Sequence, residues 1–212
     1  MMLRQRCLPG AADGSSSRSG SHTWREELAE LRGLYTAGHV FAWSICDSIC
    51  GRLLGPLIKQ LLKGPAPAEG QACARAVMGW CREEALWLRR SSVVAFVTLA
   101  RLPDEQVFPG FRAALLDTLA VTVKGQERFA QTGTGWVLRE VGKGDAGQLL
   151  QFVEANLPYF NAEGLRYALE KQPTAVRRRL YAAHKAAAAR AGSSGGGADD
   201  DSQQQAKRSR RS

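Results

Sequence analysis

FAWSICDSICGRLL, residues 41–54, sets the pattern from which the rest of the chain can be read. Phe41, Ile45 and Ile49 recur at i, i+4 and i+8, which predicts one packing face of a helix over about 39–51. Trp43, Asp47 and Gly51 recur at the same interval on the opposite side. A large ring and a carboxylate thus share a face that no neighbouring sequence covers. Two later tryptophans repeat the arrangement with a cation: Trp87 precedes Arg90 by three residues, and Trp136 precedes Arg139 by three. Trp43, Trp87 and Trp136 stand at intervals in the forties. Such a period in a helical sequence is the signature of stacked helical-pair repeats of the HEAT or armadillo kind.

The remaining pattern is helical almost throughout. Periodicity and punctuation predict helices over 23–36, 39–51, 53–63, 70–83, 85–100, 109–123, 126–142, 145–156, 161–171 and 173–191, and no run shows sustained alternation of the strand type. Gly64-Pro65-Ala66-Pro67 and Arg101-Leu102-Pro103-Asp104 are breaks. Asp145 and Asn161 stand where helix N-caps are needed. The expected class is therefore all-α, a HEAT-like or armadillo-type helical repeat solenoid over 23–191. A Gly/Ser-rich leader over 1–22 and a basic tail over 192–212 are expected to be disordered.

Composition narrows the function. The 212 residues carry a formal net charge of +9. The excess is concentrated late: from Lys171 onward the sequence holds many Lys and Arg against only Asp199, Asp200 and Asp201. A basic groove over the whole chain does not follow from that distribution. Cys7, Cys46, Cys50, Cys73 and Cys81 form no Cys-x-x-Cys pair, and His22, His39 and His184 stand apart from any second ligand type. Neither a metal nor an organic cofactor is expected. Reduced thiols in helices imply an intracellular protein. The leader, with Arg4, Arg6 and Arg18 among serines, resembles an organelle transit peptide, whereas Lys207-Arg208-Ser209-Arg210-Arg211 reads as a nuclear-import patch or a nonspecific phosphate contact. No apolar run reaches the ~18–20 residues of a membrane span. The expectation is a monomer working in the nucleus or an organelle.

The helix 85–100 is apolar nearly all round, yet Arg90 lies on the side of Leu86, Val93 and Val97. A buried guanidinium needs an anion, because an unpaired buried charge costs several kcal/mol. Glu83, Glu84, another carboxylate or a phosphate would serve. In the helix 126–142, Thr132, Trp136 and Arg139 share one side. Gly133 and Gly135 weaken that helix by roughly 1 kcal/mol each against alanine and suit a close backbone approach to a neighbouring helix or a ligand.

Taken in order, Trp43-Ser-Ile-Cys-Asp47 with Leu54-Gly55, Trp87-Leu-Arg-Arg90 and Gly135-Trp-Val-Leu-Arg-Glu140 resemble the DNA alkylation repair enzymes, over roughly residues 24–190. That family comprises HEAT-like-repeat DNA glycosylases that remove N3- and N7-alkylated purines. The resemblance implies Asp47 as the catalytic carboxylate, Trp43 and Trp136 as rings lining the cleft beside it, and Arg90 and Arg139 as arginines on the DNA backbone. It implies duplex DNA with alkylated purines as the partner. Residues 23–42 hold fewer helices than family members usually carry before the Trp-x-x-x-Asp element, so a shortened concave surface is expected. A noncatalytic helical-repeat scaffold, a shortened paralogue binding nucleic acid or protein through the same groove, is the competing expectation.

Overall fold

The computed structural model describes residues 23–193; the expected leader and the basic tail from residue 194 lie outside them. The described residues form helices and contain no strand. The helices are α1 (Trp24–Thr36), α2 (Trp43–Ile49), α3 (Gly55–Lys63), α4 (Pro67–Gly79), α5 (Leu86–Val94), α6 (Phe111–Thr122), α7 (Arg128–Gly144), α8 (Ala146–Asn156), α9 (Ala162–Leu169) and α10 (Thr174–Ser193). Three short 3-10 turns, Trp80–Arg82, Asp104–Gln106 and Leu157–Tyr159, join neighbouring helices. Side-chain caps fix several starts: Thr23 and Glu26 form a capping box on α1, Asp145 accepts from the Gln148 amide, and Asn161 accepts from the Gly164 amide.

Consecutive helices pair and the pairs stack, which is the helical-repeat architecture. α2 packs on α5, α5 on α7 and α7 on α9, giving one layer of adjacent helices. α4 and α6 pack on each other behind it, and α6 and α8 each pack on α7. Each helix buries an apolar stripe between layers. Leu88, Val93, Phe96, Phe111, Leu115, Val137, Leu138, Leu165 and Leu169 are nearly inaccessible. The helices of the α7–α9 contact come so close that a Cβ on Gly135 would lie 2.3 Å from the Gly164 carbonyl oxygen. A neighbouring helix is thus the reason for the glycine at 135.

Three departures from the sequence expectation have physical causes. Residues 43–63 run as one continuous helical rod, with no break at 52. Pro56 lacks an amide hydrogen and its ring crowds the carbonyl four residues back. The rod absorbs this by widening into a π-helical turn over Cys50–Leu54, with the Gly55 amide donating to the Cys50 carbonyl. Second, α4 starts at Pro67 itself, because the first helical position needs no amide hydrogen. Third, α5 stops at Val94 and the chain continues in tight turns, in a run crowded with Val93, Val94, Val97 and Thr98, whose branched side chains disfavour the helix.

The packing face of α2 also differs from expectation. Cys46, Cys50, Leu54 and Ile58 are buried, whereas Phe41 is 73% exposed. Phe41 precedes the N-cap Ala42 and so belongs to no helical face. The two thiols take the apolar role, as small hydrophobes do.

Candidate functional site

Asp47 sits one turn into α2, on the side facing α5. Arg90 meets it as a two-pronged pair: Arg90 Nε donates to Asp47 Oδ1 at 2.8 Å and Nη2 to Oδ2 at 2.9 Å. The third nitrogen, Nη1, donates to the Phe129 carbonyl at 2.7 Å and to Thr132 Oγ1 at 3.3 Å, both on α7. One guanidinium therefore ties three consecutive helices of the layer together. Its side chain is 6% exposed and that of Asp47 is 17% exposed. Planar bidentate pairs of this type fix direction as well as distance.

Gly133 makes room for this arrangement. A Cβ there would lie 3.1 Å from Arg90 Nη1 and 3.3 Å from its Cγ. The glycine of this pair therefore answers to a side chain, where Gly135 answers to a backbone.

Beneath the ion pair lies a second, fully buried polar layer. Tyr35 from α1 and Ser91 from α5 share a hydrogen bond of 2.8 Å between hydroxyls, and Cys46 Sγ stands 3.2 Å from Ser91 Oγ. Burial pushes the Tyr35 hydroxyl and the Cys50 thiol well above their ordinary range. The hydrogen bond from Cys50 lowers the Cys46 thiol instead. Asp47–Arg90 and Cys46–Ser91 are adjacent rungs of the same α2–α5 crossing, so the register of that crossing is set twice.

The other expected residues occupy the same layer at different depths. Trp43, one turn before Asp47, is 54% exposed. Trp87 is half-buried and lies against Phe129, ring centroids 5.4 Å apart. Trp136 is half-buried one turn beyond Thr132, and Arg139 follows one turn later on the same side of α7. Arg139 is held by two carboxylates: Nε reaches Glu140 Oε1 at 3.2 Å, and Nη1 pairs with Glu170 just after α9. Hydrogen bonds from Lys171 and from Arg139 pull the Glu170 carboxyl down to about 2.

Arg90 and Asp47 are thus in direct contact, while Trp43, Trp136 and Arg139 are each placed one or two helical turns from that contact. All three nitrogens of the Arg90 guanidinium have protein partners in this structure. The group is largely buried on Asp47 and α7, with the side chain 6% exposed. The carboxylate foreseen for a buried arginine is present, but it is Asp47 and neither Glu83 nor Glu84. Arg89, the neighbour, donates to the carbonyls of Glu83 and Glu84 at 2.8 and 2.6 Å and pairs with Glu127.

Thr132, the Phe129 carbonyl, Ser91 and Tyr35 escaped the sequence reading as members of this site. A carbonyl leaves no mark in a sequence. Thr132 was signalled only by sharing a helical side with Trp136.

Among the described residues no helix is long and apolar enough to cross a membrane, and no three metal-ligating side chains lie together. No curated protein and no solved structure matches the chain. The family of DNA alkylation repair enzymes matches residues 20–172, which spans α1 to α9 and every residue of the site. The protein belongs to the DNA alkylation repair enzyme family.

Proposed function

We propose that the chain is a DNA glycosylase that hydrolyses the N-glycosidic bond of cationic N3- or N7-alkylated purines in duplex DNA, with Asp47 as the catalytic carboxylate. The observation that carries the reading is Asp47 itself: a partly exposed carboxylate on the tryptophan-bearing layer, clamped from behind by a buried arginine.

The chemistry follows from that geometry. An alkylated purine of this class carries a positive charge and departs as a neutral base, so the leaving group needs no proton. The sugar left behind develops oxocarbenium character, as in glycoside hydrolysis generally. A carboxylate held nearby stabilises that charge. The bidentate clamp uses one lone pair on each oxygen of Asp47 and leaves others to orient a water for attack on the sugar carbon. Arg90 in this scheme is a positioning residue: the orientation of Asp47 is fixed before substrate arrives, so none of it must be organised during reaction. Indole faces at Trp43 and Trp136 favour a cationic lesion and the developing cation by ~0.5–2 kcal/mol each. Arg139, 20% exposed, exchanges its outer partner Glu170 for a backbone phosphate in this scheme, which fixes register without reading sequence.

One observation favours the second reading, a noncatalytic helical-repeat scaffold. The Asp47–Arg90 pair is also what a purely structural tie between α2 and α5 looks like. Release of base from duplex DNA separates the two. The parent is expected to free 7-methylguanine from methylated duplex far faster than it frees a neutral base such as uracil, whose departure wants protonation. No release of either above the spontaneous rate would establish the scaffold.

A further inference from the structure

α10 (Thr174–Ser193) lies beyond the residues matched to the family and has the most one-sided charge of any helix in the structure. It holds Arg177, Arg178, Arg179, Lys185 and Arg190 and no carboxylate. One narrow stripe docks it: Leu180 is buried, and Val176, His184 and Ala187 are half-buried at helical spacing. Two of its cations are spent locally. Arg177 Nη2 donates to Thr174 Oγ1 at 3.2 Å, and Arg179 pairs with Glu154 at 2.7 Å. Arg178 and Lys185 are different. Both are exposed, both lie on the side of the helix opposite the docking stripe, and neither has an ion-pair partner among the described residues. Seven residues separate them, two turns or about 10 Å along the axis. That exceeds the Debye length of roughly 8 Å at physiological salt, so they act as two separate contacts.

Short contacts place α10 at the end of α7 that holds Arg90. His184 Nε2 is 2.7 Å from the Phe160 carbonyl. The preceding Tyr159 carbonyl accepts from Gln131 Nε2 at 2.9 Å, and the Asn161 amide donates to Gln131 Oε1 at 3.2 Å. Gln131 is the chain neighbour of Thr132, which touches Arg90. At this junction Lys124, exposed, stands over the ring of Tyr159 at 5.3 Å.

We infer that α10 is a second phosphate-contacting element for duplex DNA, with Arg178 and Lys185 on the backbone flanking the Asp47 site. The inference rests on the proposal that duplex DNA is the substrate, but not on the chemistry assigned to Asp47. A helix with five cations and no acid repels a cationic partner and attracts a polyanion. The outward direction of Arg178 and Lys185 suits a ligand too wide to enter between helices.

The test uses the full chain with both side chains changed, Arg178→Gln with Lys185→Gln, and measures binding to an undamaged duplex across a salt series. Each phosphate contact contributes about 0.9 to the slope of log affinity against log salt, so the slope should become shallower by about two. Melting temperature should stay parental, since both side chains are exposed on the side away from the docking stripe. Arg178→Lys with Lys185→Arg should keep the parental slope, because charge is what counts. A parental slope and affinity for the glutamine pair would overturn the inference, as would an equal loss in the charge-preserving pair. A parent that releases no base, yet shows the slope difference, defeats the glycosylase proposal alone.

Discussion

Arg90 and Arg139 each follow a tryptophan by three residues, and the fold uses them in opposite ways. Arg90 lies at the centre of the layer, 6% exposed, its three nitrogens shared between Asp47 and α7. Arg139 lies toward the far end of α7, 20% exposed, between Glu140, which is 10% exposed and also held by Lys143, and Glu170, which is 41% exposed. The same short sequence element therefore yields one arginine that organises a carboxylate and one whose outer partner, Glu170, is open to solvent. Depth decides the difference. A buried pair costs so much desolvation that it is kept only when every hydrogen bond is made, while an exposed pair gains little and parts easily.

The sharpest way to break this contrast is to remove both guanidiniums in turn. Arg90→Ala leaves Asp47 without its partner in a mostly buried place and should cost about 3–5 kcal/mol in urea unfolding. Arg139→Ala should cost less, about 1 kcal/mol, because Glu170 is exposed and the buried Glu140 keeps Lys143. Equal losses would mean that depth does not separate the two. Arg139→Ala should instead show itself in DNA binding, with a salt slope shallower by about one.

The two glycines of α7 sharpen the comparison from the side of packing. Gly135→Ala drives a Cβ into the Gly164 carbonyl and should destabilise by about 1–3 kcal/mol through loss of the α7–α9 approach. Gly133→Ala presses on the end of a side chain, Arg90, and should cost less stability but disturb base release by moving the clamp. Thermal melts and single-turnover rates on both variants distinguish a packing defect from a positioning defect.

The smallest effect concerns the release of Arg139. The Glu170 carboxyl is held at about 2, below the ~4.3 of an unfolded chain. Its contribution is therefore complete above the unfolded value and fades only as pH falls toward 2. Between pH 7 and 5 the Arg139–Glu170 contact should persist, and DNA affinity should show no step from it. Glu170→Gln removes the carboxylate at every pH and should tighten duplex binding a few-fold, since a competing charge near the phosphate is gone. Weaker binding by that variant would mean that Glu170 presents Arg139 to DNA and does not hold it back.

The sequence was legible where punctuation and periodicity are long-range. The capped starts at Asp145 and Asn161 and the breaks at Gly64 and Pro103 produced the helices observed, and with them the repeat layer. It was illegible where a single residue shifts a helix without ending it. The separate helices expected over 39–51 and 53–63 run on as one because the π-helical turn at Cys50–Leu54 changes the hydrogen-bond register, not the polarity pattern. The face of α2 was misread because Phe41 weighs heavily in any apolar count, although it lies before the cap, while Cys46 and Cys50 weigh little. At the site, the spacing showed that Arg90 must have an anion, but partners distant in sequence on α2 and α7 decide which anion it takes.

Asp47 carries the central claim, and its removal tests it most directly. Asparagine keeps the size and one acceptor but turns an N–H toward Arg90, so some stability will be lost. The measurement is single-turnover release of 7-methylguanine from duplex DNA at a temperature well below the melting transitions of both proteins, with duplex binding measured alongside. Loss of several kcal/mol of transition-state stabilisation predicts that Asp47→Asn is at least ~100-fold slower than the parent, at about 1.4 kcal/mol per factor of ten. Its DNA binding should be equal or tighter, because a carboxylate near phosphates opposes association. Near-parental release by the folded Asp47→Asn protein would contradict the account, and would leave Asp47 as a structural tie between α2 and α5.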